Sequence, residues 1–325
     1  MARHPLTRDT APDERALKGF RRLSYVALVL VVAQIVFGAI VRITGSGMGC
    51  GDHWPRCLGS WFPPLDRVDL VIEITHRYMA MGLSIAIAAL LIAALARRSR
   101  PGVSGRGGLL RPAGLATFLV ICAALLGAVT VKLGLNPLVI AAHLTIAMSL
   151  LAVIAVIAIR SGAFGGSRTS GASARTIKSA RIALVMAFAV LILGALTANL
   201  PGAAASCGGF PWCRSINGGG AGLAVQIVHR LLAFLLIGHL WGVARGAARR
   251  NEPGTIVRTA RIALALGVTQ LLVAGAMVEM SFPPVFRSLH QAIGTSLWLA
   301  IVVLTVLASR GAHASSPAMT QRMAA

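Results

Sequence analysis

Eight long apolar runs dominate the sequence, and they restrict the fold more than any other feature. Each is long enough to cross a hydrocarbon core about 30 Å thick, which requires roughly 20 apolar residues in a helix. Only 12% of the residues are charged, about half the fraction of a typical soluble domain. The chain is therefore predicted to be an all-α, polytopic membrane protein with eight transmembrane helices. The predicted spans lie near residues 23–43, 70–95, 113–133, 138–160, 178–198, 223–245, 257–278 and 289–309.

The distribution of charge predicts how these helices are oriented. The formal net charge is +22, but the 31 Lys and Arg residues lie between the apolar runs, which does not suggest a nucleic-acid partner. Most of them fall in the two tails and in the loops near 96–112, 160–181 and 245–261, which the positive-inside rule places in the cytoplasm. We predict a multi-pass protein of the plasma membrane, in contact with lipid, with both termini cytoplasmic. The eight exceptions are Arg42, Arg56, Arg67, Arg77, Lys132, Arg214, Arg230 and Arg287.

The two halves of the chain resemble each other, which indicates a tandem duplication. Each half has a Gly-Ala pair near a helix end, two cysteines in the next loop, an Ile-x-His-Arg motif and a second histidine further on. A Gly- and Ser-rich cytoplasmic linker at 161–177 separates the halves. We predict two pseudosymmetric four-helix bundles, at 23–160 and 178–309, with cytoplasmic tails at 1–22 and 310–325.

Four histidines occupy matching places near the outer ends of the even-numbered helices: His76, His143, His229 and His290. Ionisable groups inside membrane spans are costly, so they usually face the bundle interior and serve a function. Two neutral imidazoles facing each other across a four-helix bundle are typical axial ligands of a haem iron. We predict haem ligation, with zinc or plain packing as alternatives. His239 is expected to pack or form a hydrogen bond, and no role is assigned to His4, His53 and His313.

One residue distinguishes the two halves chemically. Glu73 precedes His76 by three residues, which places both on one helix face, whereas Gln226 occupies the matching place before His229. A buried carboxylate beside a histidine pair can accept and relay protons. We therefore predict that the first half is catalytic, through Glu73, and that the second half supports it. The alternative is a structural hydrogen bond from Glu73 to a ligand histidine.

Two arginines directly follow histidines of the repeated motif. Arg77 and Arg230 are candidate partners of haem propionates, because a guanidinium group can bind a carboxylate with two parallel hydrogen bonds. Snorkelling of the side chain to the membrane interface explains both positions equally well. The sequence leaves the two interpretations open.

Two cysteine pairs lie in the outer loops, where disulfides persist. Cys50 and Cys57 are expected to form one bond, and Cys207 and Cys213 the other. A redox role beside the site is a second interpretation of the first pair. Cys122 lies within a span and is expected to be a small core residue.

These motifs resemble those of the haem A synthases, the membrane enzymes of the CtaA and Cox15 type. The resemblance extends over about residues 23–309. It implies an oxidoreductase that oxidises the C8 methyl group of haem O to the formyl group of haem A by successive hydroxylations. Haem A is the prosthetic group of aa3-type terminal oxidases. The likeness rests on Thr44-Gly45-Ser46-Gly47-Met48-Gly49-Cys50, Trp54-Pro55-Arg56-Cys57 and Glu73-Ile74-Thr75-His76-Arg77.

The resemblance also implies which half holds which haem. His229 and His290 correspond to the ligands of a bound haem B, and His76 and His143 to those of the substrate haem, beside an essential Glu73. A partnership with the haem O synthase, a protohaem farnesyltransferase, follows from the family as well. No motif identifies the electron donor, the oxygen source or the oligomeric state, so a homo-oligomer is left open.

Other functions remain open from the residues alone. A non-catalytic di-haem b-type cytochrome, carrying electrons from quinol, would use the same histidines but would not need Glu73. A thiol oxidoreductase would depend on the outer cysteines and tolerate loss of the histidines. A transporter fits less well, because the histidines lie near the outer face and not at the midplane.

Overall fold

In the computed structural model, every predicted membrane span is a continuous α-helix. The structure describes residues 14–105, 107–166 and 171–310. His4, His313, residues 1–13 and 311–325 of the predicted tails, and residues 167–170 of the linker lie outside the described residues. All eight helices have the length and the apolar composition to cross a membrane. They are α1 Glu14–Ile43, α2 Val68–Ala96, α3 Leu110–Lys132, α4 Pro137–Arg160, α5 Ala174–Asn199, α6 Gly220–Arg249, α7 Gly254–Glu279 and α8 Pro284–Ser309.

Local chemistry sets the points at which these helices begin. Pro137 opens α4, where its missing N–H is not needed, and the Asn136 side chain accepts a hydrogen bond from the Leu138 amide at 3.0 Å. Pro284 opens α8 in the same way, five residues before the predicted start. The Ser173 side chain caps α5, which begins at Ala174 and not at residue 178.

The helices form two four-helix bundles, α1–α4 (the first half) and α5–α8 (the second half). In each bundle, every helix packs against two neighbours of its own half. Successive helices cross in alternate directions, so the α1–α2, α3–α4, α5–α6 and α7–α8 loops share one side of the molecule. We call this side the cysteine face, because both cysteine pairs lie in its loops. The opposite side, where α1 begins and α8 ends, is the terminal face.

The two halves are joined by helices α1 and α4 on one side and α5 and α8 on the other. A two-fold operation that exchanges α1 with α5 and α4 with α8 converts the α1–α8 contact into the α4–α5 contact, and both contacts are present. One apolar cluster runs through both halves and includes Leu28, Ile154 and Ile301. The Trp298 indole N–H donates to the Met148 carbonyl oxygen at 2.9 Å across this interface.

The outward surface of the bundles is apolar. Large side chains that point away from the core are more than 60% exposed on helices of both halves, among them Val29, Ile85, Phe118, Val185 and Leu272. A surface of this kind suits lipid tails and not water. The short elements of the cysteine face include 3-10 turns at Ser46–Met48 and Ala203–Ala205 and an antiparallel pair, β1 Cys207–Gly208 with β2 Ser215–Ile216.

Candidate functional site

The motif after the first cysteine loop fastens that loop to α2. The Glu73 side chain is buried, and its Oε2 accepts a hydrogen bond from the Cys50 amide at 2.8 Å. Its Oε1 forms an ion pair of 2.5 Å with Nη2 of Arg77, one turn further along the helix. Arg77 Nη1 donates to the carbonyl oxygens of His53 and Arg56, both at 2.7 Å. The carboxylate is therefore fixed at both oxygens, and the loop is held over the end of the bundle.

The second half builds the same attachment without a negative charge. Gln226 accepts a hydrogen bond from the Ser206 hydroxyl at 2.7 Å and donates to the Ala204 carbonyl oxygen at 2.8 Å. Arg230 donates to the carbonyl oxygens of Cys207 and Gly209, both at 2.7 Å. Each motif arginine thus binds loop carbonyls, a use that neither sequence interpretation of Arg77 and Arg230 anticipated.

Both cysteine pairs are brought together by these loops. The Cα atoms of Cys50 and Cys57 are 4.5 Å apart, and those of Cys207 and Cys213 are 5.0 Å apart. Both separations lie in the range that a disulfide requires. Cys122 is half-buried on α3, apart from both pairs.

The four predicted histidines form two facing pairs, one in each half. His229 and His290 line one cavity, and His76 and His143 lie on α2 and α4, the diagonally opposite helices of the first bundle. The Nδ1–H of His229 donates to the Val190 carbonyl oxygen at 3.0 Å. This bond leaves Nε2 as the nitrogen with a free lone pair, which is the usual state of a metal-ligating histidine.

Two glutamines inside the spans extend these pairs. Nε2 of Gln34 lies 3.2 Å from Nε2 of His76, and Nε2 of Gln270 lies 3.2 Å from Nε2 of His290. Neither glutamine was predicted from the sequence as a site residue, although a polar side chain in an apolar run is a signal of function. Within the described residues, five buried polar atoms of the site have no hydrogen-bond partner: Oε1 of Gln34 and Gln270, and Nδ1 of His76, His143 and His290.

A cavity of about 460 Å³ lies between His229 and His290. Its volume is in the range of small-molecule pockets, and its wall is mostly apolar with a few polar groups, as such pockets usually are. A Cβ atom at Gly194 would lie 2.9 Å from Cε1 of His229, so only glycine leaves room for the imidazole. The first half repeats this contact between Gly38 and His76, also at 2.9 Å.

The donor set suits a haem better than a bare metal ion. Each half offers two imidazoles, which is the number of axial positions on a haem iron. In the part of the chain that the structure describes, no three His, Cys, Asp or Glu side chains come together as a zinc site would require. The unpartnered ring nitrogens and the apolar cavity therefore fit a flat, largely apolar iron complex held between facing histidines.

Two other histidines lie apart from both pairs. His239 Nε2 is 2.9 Å from the Ser179 carbonyl oxygen, which is a hydrogen bond between α6 and α5. This bond agrees with the packing or hydrogen-bonding role expected from the sequence. His53 is exposed on the first cysteine loop, 3.4 Å from the Asp52 carboxylate.

The chain is similar to known proteins over most of its length. The family model COX15-CtaA, described as cytochrome oxidase assembly protein, matches residues 21–302. A protein of Shouchella clausii named "Heme A synthase" is 29% identical over 306 residues, which cover 89% of this chain and 97% of that protein. A protein of the same name from Bacillus licheniformis is 29% identical over 245 residues, covering 73% and 78%.

A third relative carries a different name. A Thermus thermophilus protein named "Protoheme IX farnesyltransferase" is 31% identical over 301 residues. The match covers 86% of this chain but 47% of that protein. The chain thus spans about half the length of this relative.

Proposed function

The chain belongs to the COX15-CtaA family of cytochrome oxidase assembly proteins, and we propose that it oxidises the C8 methyl group of haem O to the formyl group of haem A. The oxidation proceeds by successive hydroxylations and supplies haem A for aa3-type terminal oxidases. The relatives named "Heme A synthase" support this function over nearly the whole chain. None of the matches described above supports the plain di-haem cytochrome that the residues alone left open.

The observation that carries the proposal is a difference of one charge between two otherwise matched sites. Both halves hold a histidine pair, a motif arginine and a tethered cysteine loop, but only the first has a carboxylate, Glu73, where the second has Gln226. A site that moves protons needs such a group, whereas a site that only carries electrons does not. We therefore assign His76 and His143 to the substrate haem.

The second half is the proposed site of a resident haem B, with His229 and His290 as ligands. When bound, a haem with two histidine ligands supplies electron transfer, because it has no open coordination position. The chain's own part is to hold the two imidazoles across the cavity and to exclude water with its apolar wall. The Val190 carbonyl fixes the orientation of the His229 ring.

In the first half, the protein positions one proton acceptor. The Cys50 amide and Arg77 bind opposite oxygens of Glu73, so the carboxylate is held at one place, one turn from His76. Charge-assisted hydrogen bonds of this kind are short and directional. We assign Glu73 the role of accepting a proton during oxidation of the substrate methyl group.

The same proposal sets the surroundings of the protein. The protein lies in the plasma membrane, with both termini in the cytoplasm and the cysteine face on the outer side of the membrane. There the pairs Cys50–Cys57 and Cys207–Cys213 form disulfides that close the two loops. The first pair is also the candidate for electron entry, because the Cys50 amide binds Glu73. The haem O synthase is the proposed partner, which the Thermus relative named for farnesyl transfer supports.

The variant Glu73→Gln tests the catalytic assignment. We expect haem A formation to fall about 100-fold or more, the size of a lost proton-transfer group. Haem B should stay bound, because its proposed ligands, His229 and His290, lie in the other half of the protein. The measurement is extraction of the haems from purified protein, followed by reverse-phase chromatography.

Arg77→Gln is the matched control, because it breaks the ion pair but keeps the carboxylate. We expect this variant to form more haem A than Glu73→Gln. An equal loss in both variants would assign Glu73 to holding the cysteine loop only. Normal haem A formation in Glu73→Gln would contradict the proposal.

A further inference from the structure

The cavity between His229 and His290 is not formed by the second half alone. Met148 of α4 and Arg42 in the last turn of α1 also lie in its wall. Nη1 of Arg42 donates to the Ala198 carbonyl oxygen on α5 at 3.2 Å. The end of α1 therefore reaches across the interface between the halves, to the mouth of the cavity at the cysteine face.

A second arginine of the cavity wall meets Arg42 at this mouth. Arg287 lies in the first turn of α8, three residues before His290, and so on the same face of the helix as that histidine. Both arginines are half-buried, and both line the same cavity. Two like charges in partly apolar surroundings are unfavourable unless an anion lies between them.

No carboxylate of the described part of the chain neutralises this pair. Neither Arg42 nor Arg287 forms an ion pair there, and the Arg287 side chain makes no hydrogen bond. Glu279, on the same face, is paired with Arg214 and accepts a hydrogen bond from the Phe210 amide at 2.8 Å. A carboxylate on a molecule that enters the cavity would supply the missing counter-charge.

The third arginine of the cavity wall is already engaged. Both terminal nitrogens of Arg230 donate to loop carbonyls, those of Cys207 and Gly209. The sequence left open whether Arg230 binds a propionate or snorkels to the interface, and the structure shows that it holds the loop. Among the described residues, Arg230 spends two of its five N–H donors on the loop, whereas Arg42 spends one and Arg287 none, so Arg42 and Arg287 have the most donors left for a ligand.

The first half has no such arginine pair at its own histidines. Arg42 lies four residues after Gly38, and the residue four after Gly194 is Ala198. Similarly, Arg287 lies three residues before His290, whereas Ile140 lies three before His143. The duplication therefore provides the pair for one site and not for the other.

We propose that Arg42 and Arg287 bind the two propionate carboxylates of the haem that His229 and His290 ligate. A planar guanidinium group matches a carboxylate with two parallel hydrogen bonds, and two carboxylates on one edge of the haem match two arginines at one cavity mouth. The inference rests on the proposed function and adds that the first half completes the cofactor site of the second. It also gives the proposed haem B site a means of retention that the proposed substrate site lacks.

The test measures how fast purified, full-length holoprotein loses haem B to excess apomyoglobin, followed by absorbance. We expect about tenfold faster loss in Arg42→Gln and in Arg287→Gln, and about 100-fold in the double variant, from the usual strength of hydrogen bonds to charged groups. The midpoint potential of the haem should fall as well. Positive charge near the haem favours its reduced state, and each glutamine variant removes one such charge. Arg67→Gln removes an exposed charge of the same face, and neither quantity should change.

Conservative variants keep the test decisive if the double variant fails to fold. Arg42→Lys and Arg287→Lys retain the charge but lack the paired N–H donors of the guanidinium group. Each should therefore release haem more slowly than the matching glutamine variant. Unchanged loss rates and potentials in both single glutamine variants would overturn the inference and leave the proposed function intact. A wild-type protein that carries no haem B at all would overturn both.

Discussion

At the scale of single residues, two glycines decide how close a histidine can come to the neighbouring helix. Gly194 on α5 faces His229 on α6, and Gly38 on α1 faces His76 on α2. In each case an added Cβ would lie 2.9 Å from the imidazole Cε1, which is too close without movement of the ring. The orientation that His229 and His76 need as proposed haem ligands therefore depends on the absence of a side chain at Gly194 and Gly38.

Gly194→Ala should displace His229 and lower the haem B content of the purified protein. Overpacking of this kind costs about 1–3 kcal/mol, which corresponds to about 5- to 150-fold weaker binding. The pyridine-haemochrome spectrum per mole of protein measures the loss. The control is Gly238→Ala on α6, where an added Cβ meets nothing within 4 Å, and an equal loss in both variants would refute the argument.

The sequence predicted the side chains that repeat, and it missed those that reach between helices. The histidine pairs and the asymmetry of Glu73 and Gln226 follow from the duplicated motif. Gln34 and Arg42 act on partners in other helices, 42 and 156 residues away. Spacing along one helix carries no information about such partners, so only the packed structure shows them.

At the scale of elements, the terminal face joins α5 to the α6–α7 loop through one carboxylate. Glu252 accepts hydrogen bonds from the Ser173 amide at 3.1 Å and from the Thr176 hydroxyl at 2.6 Å, at the start of α5. Burial raises the pKa of the Glu252 carboxyl, but these hydrogen bonds outweigh burial, and the pKa lies below its ordinary value. A negative charge also suits the N-terminus of a helix.

This attachment should make stability depend on pH. Because the pKa of Glu252 is lower in the folded state, its contribution is present above the unfolded-state pKa and is lost as the pH falls through the folded-state value. We expect wild type to exceed Glu252→Gln by about 1 kcal/mol in unfolding free energy at pH 7. Thermal unfolding in detergent between pH 7 and pH 3 measures the difference, which should shrink in acid. A constant difference would show that the charge is not involved.

The hydropathy pattern located every helix but placed several starts late. The predicted first span begins at residue 23 and the last at 289, whereas α1 begins at Glu14 and α8 at Pro284. Apolar runs mark the part of a helix that meets lipid tails. The backbone hydrogen bonds continue into the polar interface, where proline at N1 and capping side chains set the end.

At the scale of the whole molecule, the duplication accounts for the architecture and underlies the division of labour that we propose. The repeat of motifs predicted two bundles of four helices, and the exchange of the α1–α8 and α4–α5 contacts agrees with a two-fold relation. The way in which the halves share one cavity was not predictable, because it depends on how the α1 end packs against α5. Two similar sites in contact can therefore differ in function through a few substitutions.

The most direct test of a two-site haem A synthase is the haem content of the purified protein from cells that make haem O. The haems are extracted, separated by reverse-phase chromatography and identified by their pyridine-haemochrome spectra. We expect haem B together with haem O or haem A, one in each type of site. Haem B alone would contradict the synthase assignment, and a protein without haem would contradict the haem sites altogether.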